Sequence, residues 1–264
     1  MIYVIDSLSA YHYGRCVKSR DDWDIQSVCV NRLHYIHSGE VTVLLDGVPY
    51  DLKPGMLYLF PQNMKFELLL VESTRVDHTF FDFFTQPVIS MQKPIAIDPQ
   101  DFPFTAGATD ILFEIAQAYP TYPSMEPNAY TKPVESYLYN LLFLIDKQMQ
   151  IDTIHDSRIN TVLEYIHAHY SQEITLDQLT RLTNLEKNYL IRLFKQYMNA
   201  TPHQYITKYR FIIALSLIKK GYALGEVALQ IGYSDVASFS HAFKRIYGIA
   251  PSAIKQEYSC RNKT

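Results

Sequence analysis

Residues 227–251 read VALQIGYSDVASFSHAFKRIYGIAP, and this stretch decides the fold. It holds a short apolar run, a glycine where the chain must turn sharply (Gly232), and a longer amphipathic run followed by a proline. The pattern repeats with a 49-residue offset, since Leu190-Ile-Arg-Leu-Phe-Lys aligns with Phe239-Ser-His-Ala-Phe-Lys. Each unit is therefore predicted to be a short helix, a tight turn and a longer helix, which is the outline of a helix-turn-helix.

Local signals support both units and the segment between them. Thr175 and Gln178 form a predicted capping box, and Ser234 or Asp235 can cap the longer helix of the second unit. His203–Lys220 reads as one long helix, started by a proline and ending before a glycine. If this connector separates the two longer helices by one DNA turn, ~34 Å, both can enter successive major grooves on one face.

The first unit's longer helix has an outward face suited to a DNA groove. Asparagine bonds adenine, arginine forks onto guanine, an exposed isoleucine contacts a thymine methyl, and lysines reach phosphates. The alternative is an ordinary solvated helix face. The predicted contacts are Lys187, Asn188, Ile191, Arg192 and Lys195.

The second unit's outward face is predicted to add affinity more than discrimination. Its lysine and arginine suit phosphates, and its small side chains suit methyl contacts. His241 is either a base contact or an ordinary surface residue. The predicted contacts are Val236, Ala237, Ser238, His241, Lys244 and Arg245.

Charge is distributed unevenly along the chain. Residues 1–154 hold 10 Lys/Arg and 19 Asp/Glu, whereas residues 155–264 hold 14 Lys/Arg and 8 Asp/Glu. A basic half joined to an acidic half is typical of a polyanion-binding domain fused to another domain, although chance segregation gives the same counts.

Residues from about 158 to 258 resemble the DNA-binding domain of the AraC/XylS family of bacterial transcription regulators. Residues 227–251 follow that family's signature almost position by position. The resemblance implies two helix-turn-helix units joined by a long helix on promoter DNA. Thr180 and Glu186 depart from the family's usual Ala and Ser, and His241 replaces a frequent Arg, which puts strong guanine reading in doubt there.

The N-terminal part predicts a sensor domain. From Asp24 to Phe84, short strand-like runs alternate with turns, and Asp46-Gly47 is a strong hairpin signal. The stretch HSGEVTVLLDGVPYDLKPGMLYLFP (residues 37–61) resembles the family's cupin-type β-barrel. The expected fold is thus a cupin-like effector and dimerisation domain over residues 1–150 with an all-α double helix-turn-helix domain over residues 151–264.

The resemblance implies an effector in the barrel, a sugar or a similar metabolite. Candidate pocket residues lie in strand-like segments and could grip a hydroxylated ligand, or could equally be core and surface residues. A regulator without a small effector, whose barrel only dimerises or binds protein, is a further alternative. The candidates are Arg32, Tyr35, His78, Phe80 and Asp82.

A metal-dependent cupin enzyme is the rival class. Such a site needs clustered His and carboxylate ligands, but a strand sends His34 and His37, three residues apart, to opposite faces. No metal, no cofactor and no catalytic residue is therefore predicted.

The Pro-rich middle zone contains helical patterns near Thr109–Ala118 and Val134–Gln150. The second pattern has Thr131 as its expected cap, Pro133 in its first turn, and one apolar stripe. The stripe can pack on the chain's own barrel or on a second subunit, and the resemblance implies helices that form a dimer. The stripe comprises Val134, Leu138, Leu141, Ile145 and Met149.

Three widely spaced cysteines, a start without signal-peptide character and the lack of a ~20-residue apolar run predict a cytoplasmic protein away from membranes. The expected partners are promoter DNA, a small effector, RNA polymerase and a second copy of the chain.

Overall fold

The protein forms two compact units, Met1–Ile154 and His155–Thr264. The first is rich in strands and the second is helical. The computed structural model describes residues 12–18, 30–62, 64, 66–69, 76–85, 88–91, 93–101, 128–149, 151, 153–219 and 221–261. The helix expected near Thr109–Ala118 lies outside these residues. Within them, no helix is both long enough and apolar enough to cross a membrane.

The strands of the first unit extend beyond the expected zone at both ends. The described strands are β1 (His12–Lys18), β2 (Asn31–Ser38), β3 (Val41–Leu45), β4 (Val48–Leu52), β5 (Leu57–Phe60), β6 (Glu67–Leu69), β7 (Val76–Phe83) and β8 (Ile95–Ile97). They form an antiparallel sheet in the order β1-β7-β2-β5-β8 and a second sheet in the order β4-β3-β6. The β-rich domain is as expected, and among the described strands these two sheets remain separate and do not close into one barrel.

The two sheets share a hydrophobic core. Ile36, Tyr58 and Phe60 on the larger sheet belong to the same buried cluster as Val41 and Val43 on the smaller one. Period-2 alternation explains this, because every second side chain of a strand points to the same face. The hairpin at Asp46-Gly47 joins β3 to β4 with φ of 49° and 82°, the left-handed values that such a two-residue turn requires.

A long helix, α1 (Asn128–Met149), covers the other face of the larger sheet. Its apolar stripe is buried with Leu33, Leu59 and Phe81 of that sheet. Within the chain, Val134, Leu138 and Ile145 are 0% exposed and Leu141 is 2% exposed.

The second-subunit alternative for these four side chains is therefore wrong, because they are already buried in their own domain. The side chain of Met149 lies outside the description. The helix begins at Asn128, upstream of the expected cap Thr131, so Pro133 lies beyond the first turn.

The second unit has seven described helices. They are α2 (Ser157–His169), α3 (Leu176–Thr183), α4 (Lys187–Met198), α5 (Pro202–Lys219), α6 (Leu224–Gln230), α7 (Val236–Tyr247) and α8 (Pro251–Arg261). Helices α3 and α4 form one helix-turn-helix, and α6 and α7 form the other. The long connector α5 lies within one residue of the expected bounds and is followed by Gly221, whose φ is 88°.

Candidate nucleic-acid interface

The first helix-turn-helix, formed by α3 and α4, is stabilised by caps at both of its helices. Gln178 N donates to Thr175 Oγ1 at 3.3 Å and Thr175 N donates to Gln178 Oε1 at 2.7 Å, which is the expected capping box. Glu186 caps α4 by accepting from Tyr189 N at 3.1 Å. Backbone N–H groups thereby hold the pKa of Glu186 below its usual range. The departure from the family's Ser at this position thus preserves the cap.

Helix α4 has a buried face and a well-defined outward face. Leu190 and Phe194 are fully buried, so the helix presents Asn188, Arg192 and Lys195 to solvent, at i, i+4 and i+7. All three were predicted DNA contacts. Ile191 is half-buried at the edge of this face, so its expected full exposure is wrong.

Two exposed residues beside this face were not predicted. Tyr189 lies between two guanidinium groups, with Arg158 Cζ 5.8 Å and Arg192 Cζ 6.0 Å from its ring centroid. Gln196 is exposed one residue after Lys195. Both follow from the 100° step of the helix, which places them next to the predicted trio.

Lys187 has an intramolecular partner on α3. Its Nζ lies 2.6 Å from Asp177 Oδ1, and both side chains are more than half exposed. This contact lowers the pKa of the Asp177 carboxyl. Lys187 can reach a phosphate only by exchanging this carboxylate for it, which reduces its expected net contribution.

In the second helix-turn-helix, formed by α6 and α7, Asp235 is the cap of α7. Its Oδ1 accepts from Ser238 N at 2.7 Å, and its Oδ2 accepts from Ser238 Oγ at 2.8 Å. Of the two expected caps, Asp235 is therefore the one used. The hydroxyl proton of Ser238 is committed to the cap, so toward a base edge Ser238 can act only as an acceptor while the cap is formed.

The outward face of α7 matches that of α4 position by position. With the 49-residue offset, Ala237, His241 and Lys244 replace Asn188, Arg192 and Lys195, and all are exposed. Phe239 and Phe243 supply the buried face. The remaining predicted contacts, Val236 and Arg245, are exposed as well. This face has the same geometry as the first but a smaller hydrogen-bonding capacity.

A buried polar layer lies in the β-rich unit, on the sheet face that points toward the smaller sheet. Arg32 and Asp82 are register partners on β2 and β7, and they form a bidentate ion pair with N–O distances of 2.5 and 2.7 Å. Arg32 Cζ also lies 5.4 Å from the Phe80 ring centroid. His78 stacks on His34 at 5.2 Å. Four of the five predicted pocket residues are thus neighbours, and His34 joins them.

Tyr35 is the exception among the predicted pocket residues. Strand alternation places it on the face covered by α1, where it packs against that buried cluster. Its ring contacts His37 at 4.8 Å, and His37 Nε2 lies 2.8 Å from Thr79 Oγ1. Tyr35 is therefore removed from the candidate pocket. In the part of the chain that the structure describes, no three His, Cys, Asp or Glu residues are grouped so as to hold a metal ion.

The fold and these faces define a two-domain protein with a β-rich domain followed by a double helix-turn-helix. A family model described as "Helix-turn-helix domain" matches residues 179–257.

Among curated relatives, the chain is 23% identical over 239 residues to the lactose operon transcription activator of Staphylococcus xylosus, covering 88% of this chain and 85% of that one. It is 28% identical over 214 residues to the probable transcriptional regulator LumQ of Photobacterium leiognathi, covering 76% and 79%.

The two-domain fold occurs in solved structures of ToxT from Vibrio cholerae, with a TM-score of 0.65, 13% identity, and coverage of 94% of this chain and 98% of that chain. ToxT is described there bound to (E)-4-(8-methylnaphthalen-1-yl)but-3-enoic acid and, in another structure, to an unsaturated fatty acid. The predicted class of protein is confirmed: the protein is a transcription regulator with a helix-turn-helix DNA-binding domain.

Proposed function

We propose that α4 and α7 enter adjacent major grooves of promoter DNA and that α4 supplies most of the sequence discrimination. The observation that carries this proposal is that Asn188, Arg192 and Lys195 are all exposed on one face of α4. The three equivalent positions of α7 are exposed as well. Arginine and asparagine make bidentate contacts to guanine and adenine, respectively, whereas the alanine and histidine of α7 do not.

The experiment is selection of binding sites from a random DNA library with the full-length protein. We expect enrichment of two short half-sites about one helical turn apart, the first more constrained in sequence than the second. Absence of enrichment at low salt would overturn the proposal. Transcription with purified RNA polymerase from a selected site then distinguishes activation from repression.

The polar layer of the β-rich unit supports an effector site on the inner face of the larger sheet. Arg32 and Asp82 together offer donors and acceptors beside the Phe80 ring, an arrangement that suits a ligand with several hydroxyl groups and an apolar ring face. The charge of Arg32 is already matched by Asp82. We therefore propose a neutral hydroxylated effector, a carbohydrate, in preference to an acid of the kind bound by ToxT.

A matched pair of variants tests this site. Phe80→Leu removes a ring from the inner face, and Tyr35→Phe removes one hydroxyl from the opposite face. Calorimetry with lactose, related sugars and an unsaturated fatty acid should give binding by a sugar that Phe80→Leu weakens and Tyr35→Phe leaves unchanged. Binding of the fatty acid alone would overturn the carbohydrate assignment, and no binding by either class would favour a β-rich domain that works without a small effector.

We also propose a homodimer, with its interface moved to the exposed side of α1. Tyr139 is 38% exposed and Phe143 is 42% exposed, one helical turn apart. Sedimentation of a Tyr139→Ser, Phe143→Ser double variant should show a monomer where the parent is a dimer. A double variant that still sediments as a dimer would place the interface elsewhere.

A further inference from the structure

Helix α5 belongs to the cores of both helix-turn-helix units at once. Tyr209 stacks on His167 at 4.5 Å on the side of the first unit. Phe211, two residues later, stacks on Tyr233 at 5.8 Å and meets Phe243 edge-on at 5.6 Å on the side of the second unit. The residue between them, Arg210, lies where the two aromatic clusters adjoin.

Arg210 ties the connector to the turn that follows α2. Its Nε donates to the carbonyl oxygen of Tyr170 and its Nη2 donates to that of Gln172, both at 2.6 Å. Hydrogen bonds from a guanidinium are among the stronger ones in proteins, and two from one planar group fix the direction of that group. The turn at 170–172 therefore cannot shift along α5 without breaking both bonds.

The turn of the second helix-turn-helix packs against the same 170–172 turn. Gly232 has φ of 83°, and a Cβ at this position would lie 2.5 Å from the carbonyl oxygen of Ser171 and 3.2 Å from Arg210 Nη2. A side chain therefore cannot fit unless backbone moves. Gly232 brings the turn between α6 and α7 into direct contact with the turn between α2 and α3.

We infer that Arg210, clamped between the 170–172 turn and Gly232, is a positioning residue that fixes α4 relative to α7 and so restricts the operator to one half-site spacing. This inference rests on the proposed reading of DNA by both helices. Arg210 should therefore control which distance between the half-sites is accepted. The residues that touch bases should control only which sequence is accepted within each half-site.

The physical consequence is a narrow spacing profile. Inserting one base pair between the half-sites rotates the second by about a tenth of a turn and shifts it by ~3.4 Å. A rigid pair of helices cannot follow this displacement, whereas a loosened pair can. We expect one inserted base pair to weaken binding of the parent protein about tenfold or more, a difference of about 1.4 kcal/mol.

The test measures binding of full-length variants to a series of operators with one to three base pairs inserted or removed between the selected half-sites. Arg210→Met removes both hydrogen bonds, and Arg210→Lys keeps the charge but can satisfy only one carbonyl well. Both should flatten the spacing profile to within about threefold, while base preferences inside each half-site stay the same. If Arg210→Met does not fold, Arg210→Lys and the glycine series below carry the same test.

Glycine variants supply the matched controls. Gly232→Ala adds a clash with Ser171 to the cost of a left-handed backbone, and Gly248→Ala carries the backbone cost with nothing within 4 Å of its Cβ. Gly225→Ala would meet only a Val236 methyl, at 3.8 Å. Only Gly232→Ala should alter the spacing profile.

The outcomes separate the two proposals. Failure to select any paired half-sites with the parent protein would overturn the proposed function. Selected half-sites with an unchanged spacing profile in the Arg210 and Gly232 variants, even at reduced stability, would overturn the positioning role alone.

Discussion

Arg192 and Lys244 are both exposed cations on outward helix faces, but their positions predict different roles in DNA binding. Arg192 occupies the centre of the α4 face between Asn188 and Lys195, where a planar fork can meet a base edge. Lys244 occupies the position on α7 equivalent to Lys195, nearer the margin, where a point charge suits a phosphate.

Arg192→Ala should therefore cost ~1–3 kcal/mol on the selected site and relax discrimination at one base pair. Lys244→Ala should weaken binding to all DNA and reduce the slope of log K against log salt by about one. Titrations on specific and random duplexes at several salt concentrations measure both. Equal weakening on both duplexes would make Arg192 a phosphate contact, and an unchanged slope would remove Lys244 from the interface.

Buried His167 makes the stability of the DNA-binding unit depend on pH. Burial lowers its pKa from 6.5 to about 4, and its Nε2 lies 2.8 Å from the Tyr205 hydroxyl. The unfolded chain therefore takes up the proton more readily. The contribution of neutral His167 is fully present above about pH 6.5 and is lost as the pH falls toward 4, a change on the order of 3 kcal/mol.

Urea unfolding followed by helical circular dichroism, from about pH 7 to about pH 4.5, measures this loss. His167→Gln keeps a polar partner for Tyr205 but does not titrate, so its free energy of unfolding should vary much less over that window. The capping carboxylates Glu186 and Asp235 have lowered pKa values, so their contributions are lost only at lower pH. Identical pH profiles for parent and variant would contradict the assignment.

At the scale of secondary-structure elements, α1 has a buried side that stabilises its own domain and an exposed side that is proposed to form the dimer interface. Leu138 is 0% exposed and packs with the larger sheet, whereas Phe143 is 42% exposed on the other side. Leu138→Ala should lower the free energy of unfolding by about 2–5 kcal/mol through the cavity it leaves. Phe143→Ala should change it by only about 0.5 kcal/mol or less at protein concentrations where the parent is monomeric.

Thermal and urea unfolding of the two single variants check this difference. The comparison also discriminates between stability and assembly, because a dimer interface on the exposed side predicts a change in sedimentation only for Phe143→Ala. A large stability loss in that variant, with sedimentation unchanged, would show that the exposed side packs inside the protomer.

The helices were predictable because their signals are local. Thr175 with Gln178, Asp235 before α7 and the glycine after α5 act within a few residues, so the sequence alone locates them. The register of β2 against β7 was not predictable, because Arg32 and Asp82 are 50 positions apart and nothing local pairs them. The misplaced Tyr35 was avoidable, since strand alternation separates it from Arg32 as surely as it separates His34 from His37.

The apolar stripe of α1 illustrates a second limit. Its spacing establishes an amphipathic helix, but hydrophobic burial has no direction and gives the same stripe for a sheet or for a second subunit. The expected exposure of Ile191 is wrong for a related reason. Ile191 precedes Arg192 by one helical step of about 100°, so it lies at the boundary of the outward face, and packing around Leu190 and Phe194 decides whether it is covered.

For the whole molecule, the uneven charge fits a division of labour. The basic unit gathers the residues that meet a polyanion, and the acidic unit has no net attraction for DNA. Long-range attraction to DNA should consequently come from residues 155–264 and fall steeply as salt rises.

If an effector bound in the β-rich unit regulates DNA binding, the coupling between the two sites must be reciprocal. An effector that changes operator affinity by a given factor must see its own affinity changed by the same factor when operator is bound, and such factors commonly lie between about 5 and 150. Calorimetric titration of effector into the free protein and into the operator complex gives one factor, and operator binding with and without effector gives the other. Phe80→Leu should weaken effector binding in both arms and leave operator affinity without effector unchanged. Two unequal factors would mean that the linkage runs through a further equilibrium, such as dimerisation. Repeating both titrations at several protein concentrations would reveal such an assembly step, because only assembly makes the two factors depend on protein concentration.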